Sequence, residues 1–133
     1  MTTSEGFIRY LLGPARPDIR PITVSIDQIV EQLYVRRVAQ HDLHVTTDIY
    51  PAAAKILHKQ NDKSFGRAVE RLATKCWNAL EAEDGLMELV IGKRMQRRPP
   101  PREILFYLAY FVYHKEGYYK AEREDLFGPT IAF

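Results

Sequence analysis

Six cations follow one another at four-residue intervals: Lys55, Lys59, Lys63, Arg67, Arg71 and Lys75. An α-helix advances about 100° per residue, so residues four apart are neighbours on its surface. Ammonium and guanidinium groups in such a row are suited to a polyanion. They run through a segment that reads as two helices broken by a polar turn. Pro51 opens the first, over residues 51–59. Gln60-Asn61-Asp62-Lys63 interrupts it, and Ser64 starts a longer helix over 64–82 with its hydroxyl placed as an N-cap. This is the layout of a helix-turn-helix, whose second helix enters the DNA major groove.

The second helix is two-faced. Phe65, Ala68, Val69, Leu72, Cys76 and Leu80 fall on one stripe, and Arg67, Glu70, Arg71, Thr74, Lys75 and Asn78 fall roughly opposite. Burial is expected for the first set and exposure for Arg67 and Arg71. Gly66 removes a side chain near the end that would approach DNA and permits close approach of another backbone. A solvated polar face, with Arg67 and Glu70 paired at (i, i+3), is the plainer account of the same pattern.

Charge is unevenly spread. Residues 51–102 hold eleven Lys/Arg against six Asp/Glu, whereas the rest of the chain holds eight against eleven, leaving a formal net of +2 over 133 residues. A net of +2 is small for a nucleic-acid binder, but its concentration on this segment is the electrostatic footprint expected of a local DNA-binding surface. The length predicts one domain with a real core. The single Cys76 excludes an internal disulfide and fits a reducing cytoplasm, and its place on the apolar stripe predicts a buried thiol. No secretory signal is visible, and the longest apolar run, Ile104 to Tyr113, is too short to span a bilayer.

The elements expected around the basic segment are all helical. A short helix from Glu5 to Leu12 presents Phe7, Ile8, Leu11 and Leu12. An irregular connection carries Pro14, Pro17 and Pro21. Ser25 and Gln28 form a capping-box pattern opening a helix that ends near His41. A short helix over Val45 to Tyr50 precedes Pro51. Asp84-Gly85 breaks the chain before a short helix with Leu86, Leu89 and Val90, stopped by Gly92. The basic loop GKRMQRRPPP leads to a helix from Pro101 to Lys115, and the tail from Gly117 has no clear pattern. The fold class is therefore all-α, a compact bundle of about six short helices containing a helix-turn-helix.

With these residues in view, the chain resembles the C-terminal DNA-binding effector domain of stage-zero sporulation protein A. The resemblance rests on blocks in the right order: IYPAAAKIL entering the helix-turn-helix, RAVER followed by Trp77 in the recognition helix, then IGKR and RPPPREIL. It covers roughly residues 22–116, leaving 1–21 and 117–133 as extensions. It implies a six-helix domain that binds a short double-stranded DNA box, pairs in tandem on adjacent boxes and contacts RNA polymerase. The family's phosphoacceptor receiver domain has no counterpart in these 133 residues, so an aspartyl-phosphate switch within them is not expected.

By that analogy the helix from Ser64 lies in the major groove. Arg67 and Arg71 are the candidates for base reading, since a guanidinium donates two bonds to guanine O6 and N7. Glu70 accepts from a cytosine amino group or orients an arginine. Lys55, Lys59, Lys63 and Lys75 contact phosphates and set register. Lys93, Arg94, Arg97 and Arg98 reach a flanking phosphate or the minor groove. Trp77 reads as a core or helix-junction aromatic, with stacking on DNA the lesser alternative.

No other constellation carries comparable chemistry. His41 and His44 lack the ligands that would complete a metal site, and His58 and His114 stand alone. Glu81, Glu83 and Asp84 form a solvated turn, and Tyr107, Tyr110, Phe111 and Tyr113 build core or a dimer surface. No enzyme motif and no cofactor are expected. The competing class is a helical protein-interaction module that kept the scaffold without DNA binding, and salt-sensitive binding to duplexes separates the two.

Overall fold

The computed structural model of the chain describes residues 3–14, 18–60 and 63–128. Among these the architecture is all-α. Seven α-helices occur: α1 Thr3–Leu12, α2 Arg20–Val30, α3 Tyr50–Ile56, α4 Lys63–Ala82, α5 Leu86–Val90, α6 Pro101–His114 and α7 Tyr118–Phe127. No strand is present among the described residues. None of their helices is long and apolar enough to cross a membrane.

α4 is the central element and packs against α1, α2, α3, α5 and α6. Its buried residues are Phe65, Gly66, Val69, Leu72, Ala73, Cys76, Trp77 and Leu80. They meet Ile22, Ile26 and Ile29 of α2, and Ile104, Leu105 and Leu108 of α6, in one continuous core. Ala68 lies at its edge, half-buried. Trp77 is fully buried, as a core aromatic. Burial pushes the Cys76 thiol up to about 12, so it stays protonated and unreactive.

Several helix boundaries differ from the sequence expectation. α2 begins at Arg20, so Pro21 sits in its first turn and not in an irregular connection. A proline is well placed there, because the first-turn amides lack helical acceptors anyway. Ser25 lies inside the helix and its hydroxyl donates back to the Pro21 carbonyl at 2.6 Å. It is a satisfied buried hydroxyl and no cap. α2 continues as a π-helical turn over Glu31–Val35 and then ends, with Arg37 at φ +58, well before His41. A second π-helical turn, Val45–Ile49, runs directly into α3, so Pro51 continues a helix already under way. α4 starts at Lys63, which places Ser64 in its first turn. The expected turn residues Asn61 and Asp62 lie outside the described residues.

α3 stops at Ile56 for a local reason. His58 adopts a left-handed φ of +55. Its N–H donates to the Lys55 carbonyl at 3.1 Å, and the Lys59 N–H donates to Ala54 at 2.8 Å. These paired bonds close a Schellman motif, usually made with glycine.

The described parts of both extensions pack onto the domain. α1 buries Ile8 and Leu11, and Phe7 packs on Phe111 at 5.0 Å between ring centroids. The α7 end is tied down by two glycines. Gly92 has φ +98, and a Cβ there would overlap the Lys120 amide nitrogen. A Cβ on Gly117 would overlap the Gly92 nitrogen. The two backbones touch only because both lack side chains, and the contact is closed by Tyr119 N–H donating to Ile91 O at 3.0 Å. Gly92→Ala is therefore expected to cost about 2 kcal/mol or more, from the left-handed backbone alone plus the overlap. Urea unfolding, with limited proteolysis reporting α7, checks it. Wild-type stability with α7 still protected would contradict the contact.

Candidate nucleic-acid interface

The exposed side of α4 carries Ser64, Arg67, Arg71, Lys75 and Asn78. At about 100° per residue these five fall within an arc of about 80°, opposite the buried residues. Arg67 to Lys75 spans about 12 Å along the axis, comparable to the width of a B-DNA major groove, about 12 Å. Among the described residues no carboxylate lies within ion-pairing distance of Arg67, Arg71 or Lys75. The row is a cationic face held by a rigid, packed helix.

Two clefts flank the start of α4. One, of about 540 Å³, is lined by Thr46, Tyr50, Lys63, Gly66, Arg67, Glu70 and Arg102. The other, of about 210 Å³, is lined by Pro21, Lys59, Gln60, Ser64, Phe65 and Ala68. The structure thus gathers Lys59, Lys63, Ser64 and Arg67 around the positive end of the helix dipole.

Glu70 turns away from this row. Its Oε2 accepts from the Tyr50 hydroxyl at 2.9 Å and lies 3.5 Å from Arg102 Nε. Burial and then the Glu70 carboxylate push the Tyr50 hydroxyl well above its ordinary range, so it remains a donor at any working pH. Glu70 is half-buried and joins α3, α4 and α6, instead of pairing with Arg67. Gly66 serves the same junction: a Cβ there would sit 3.1 and 3.2 Å from the Tyr50 ring carbons. The close approach it permits is to a buried aromatic.

The remaining sequence candidates divide by what holds them. Lys55 and Lys63 are exposed, with no ion pair among the described residues. Lys59 Nζ lies 3.5 Å from Asp18 Oδ2. Asp18 is clamped by Arg20, whose Nε and Nη2 each donate at 2.8 Å, and this holds its carboxyl far below the usual carboxylate range. Lys59 is therefore partly neutralised, while the Arg20–Asp18–Lys59 group keeps a net positive charge. Lys93 Nζ stands 3.7 Å above the Tyr119 ring, and Arg94 lies 3.9 Å from Glu88. Arg97 and Arg98 are exposed and have no such partner among the described residues.

Sequence reasoning missed Arg20 and Arg102. Arg102 is visible only as the last cation of the basic stretch. Arg20 has no sequence signal, since its link to Lys59 runs through Asp18, 41 residues distant from Lys59. No metal-binding group of three or more His, Cys, Asp or Glu occurs among the described residues, and His41 lies 3.5 Å from Asp42.

The division of labour on α4 has a measurable consequence. Glu70→Ala strands the buried Tyr50 hydroxyl and should cost about 1–3 kcal/mol. Arg67→Ala and Arg71→Ala remove exposed side chains and should stay within about 0.5 kcal/mol of the parent. Denaturant unfolding of the three variants distinguishes these, and equal losses would refute the assignment. No family model, no curated protein and no solved structure matches the chain.

Proposed function

We propose that this protein is a sequence-specific DNA-binding transcription regulator, in which α3 and α4 act as a helix-turn-helix and α4 enters the major groove. The observation that carries this reading is the exposed row Arg67, Arg71 and Lys75, free of carboxylate partners among the described residues, on a helix whose other face is buried core. Arg67 and Arg71 read base edges, with Ser64 and Asn78 at the two ends of the same exposed face along the helix axis. Lys55, Lys63 and Lys75 contact phosphates. Arg97 and Arg98 reach a flanking phosphate.

The resemblance to the sporulation effector domain belongs to the same proposal. It adds a second copy of this chain on an adjacent site and RNA polymerase as partners, and a place in the cytoplasm. Glu70 has no base-reading role in it, because its carboxylate is committed to Tyr50 and Arg102.

Binding to duplexes across a salt series tests the proposal. The logarithm of the binding constant should fall linearly with the logarithm of salt, by about 0.9 per phosphate neutralised. Arg71→Ala should weaken a preferred duplex more than a random one, by about 1–3 kcal/mol. Lys63→Ala should weaken both alike and reduce the salt slope by about one. Lys59→Ala should do the same to a smaller degree, because Asp18 already offsets that charge. Absence of salt-sensitive binding to any duplex would sink the proposal and leave the helical interaction module in its place.

A further inference from the structure

A cavity of about 210 Å³ opens between the end of α2, α6 and α7, and none of its lining residues belongs to α3 or α4. Its walls include five tyrosine rings: Tyr34, Tyr107, Tyr110, Tyr118 and Tyr119. Successive rings stand steeply to one another. Tyr34 and Tyr110 meet at 79°, Tyr110 and Tyr118 at 85°, and Tyr107 and Tyr118 at 61°, with centroids 5.4–6.2 Å apart. Each pair meets edge to face, so the rings brace one another at steep angles along the cavity wall.

The other chemistry of the cavity is acidic. Glu103 and Glu122 line it, and both are exposed. Among the described residues no Lys or Arg lines it. Neither carboxylate has an ion-pair partner among the described residues. Burial, with the Glu116 and Asp125 carboxylates after it, raises the Tyr110 hydroxyl above its ordinary range. The walls are also held in place. Tyr107 donates to Glu103 at 3.4 Å, so Tyr119 is the donor in the 2.6 Å contact between the two tyrosine hydroxyls. The Gly92–Gly117 contact fixes the start of α7, which carries Tyr118 and Tyr119.

Electron-rich ring faces beside carboxylates reject anions and attract cations. A hard metal ion would need a shell of six or more oxygen ligands, which two exposed carboxylates and phenol rings do not supply. A weakly hydrated organic cation suits both components, and the cavity is the size of one ammonium head group rather than of a drug-sized molecule. The protein uses this contact on the same cluster already, since the Lys93 ammonium sits 3.7 Å over the Tyr119 ring.

We propose that this tyrosine-walled cavity binds a methylated ammonium group, held against the Tyr34, Tyr110 and Tyr118 rings with Glu103 and Glu122 balancing its charge. The same head group is presented by a free quaternary amine such as choline and by a trimethyl-lysine side chain of a peptide. Both are probes.

The test uses the full chain, with tyrosine ring resonances followed by NMR. Choline should saturate with a dissociation constant on the order of 1 mM or tighter. Its neutral isostere 3,3-dimethyl-1-butanol should bind at least about tenfold more weakly, because it keeps the shape and loses the charge. Glu122→Gln, at an exposed position, should weaken choline several-fold. Tyr110→Phe should retain binding and Tyr110→Leu should lose it, with the melting temperature of each reporting folding. If a trimethyl-lysine peptide binds tighter than choline, the natural source is a peptide; if weaker, it is a small molecule. Either order supports the site. Equal binding of choline and its neutral isostere, or no saturable shift with either ammonium probe, overturns it. So does unchanged choline binding in both Glu122→Gln and folded Tyr110→Leu.

Discussion

Everything in this structure depends on burying one face of α4. A twenty-residue helix with Phe65, Val69, Leu72, Cys76, Trp77 and Leu80 on one side must be enclosed, and α1, α2, α5 and α6 do so. Full burial of Trp77 alone removes a large apolar surface from water, an effect of a few kcal/mol. The opposite face needs nothing from the core. It is therefore free to carry a row of cations that would be intolerable if the helix could roll. Rigidity of the cationic row and depth of the core are two results of the same packing.

The junction of Tyr50, Glu70 and Arg102 sets how α3 meets α4. Gly66 lets the Tyr50 ring lie against the helix, and the Tyr50 hydroxyl then reaches Glu70 one turn further on. Arg102 closes the group from α6. Such a part-buried, hydrogen-bonded polar contact adds little net stability, yet leaving it half-made is costly. It works as a positional constraint that fixes the angle at which α3 and the open cleft beside Arg67 present themselves. The cation pattern shows a comparable economy. Lys59, Lys93 and Arg94 are tied to Asp18, Tyr119 and Glu88, whereas Arg67, Arg71 and Lys75 are not.

The opposite chemistry gathers on the other side of α6. The tyrosines of α6 and α7 pack edge to face among themselves, with Glu103 and Glu122 lining the space between them. α7 ends with Leu126 and Phe127 at 68% and 82% exposure, so its docking rests on its first turn and on the glycine contact below it. One fold thus holds a basic face on α4 and an acidic, aromatic hollow between α6 and α7.

Local order was legible in the sequence wherever a periodic apolar pattern coincided with a firm stop. α1, α4, α5 and α6 lie within two residues of expectation, and the exposure of Arg67 and Arg71 follows from spacing alone. Period and propensity act over one or two turns, so they survive in the bare chain. The misplaced boundaries are those decided by distant partners: Ser25 looks like a cap but lies in a buried face, and Val45–Ile49 fuses with α3 because Ile49 and Tyr50 are both drawn into the core. The candidate interface divides in the same way. Which residues are cationic was readable from the sequence, but which cations are spent internally was not. That depends on Asp18 reaching Lys59, on Arg102 and Tyr50 reaching Glu70, and on α7 bringing Tyr119 beneath Lys93. Pairing between groups far apart in the chain is set by tertiary packing, and only the folded structure decides it.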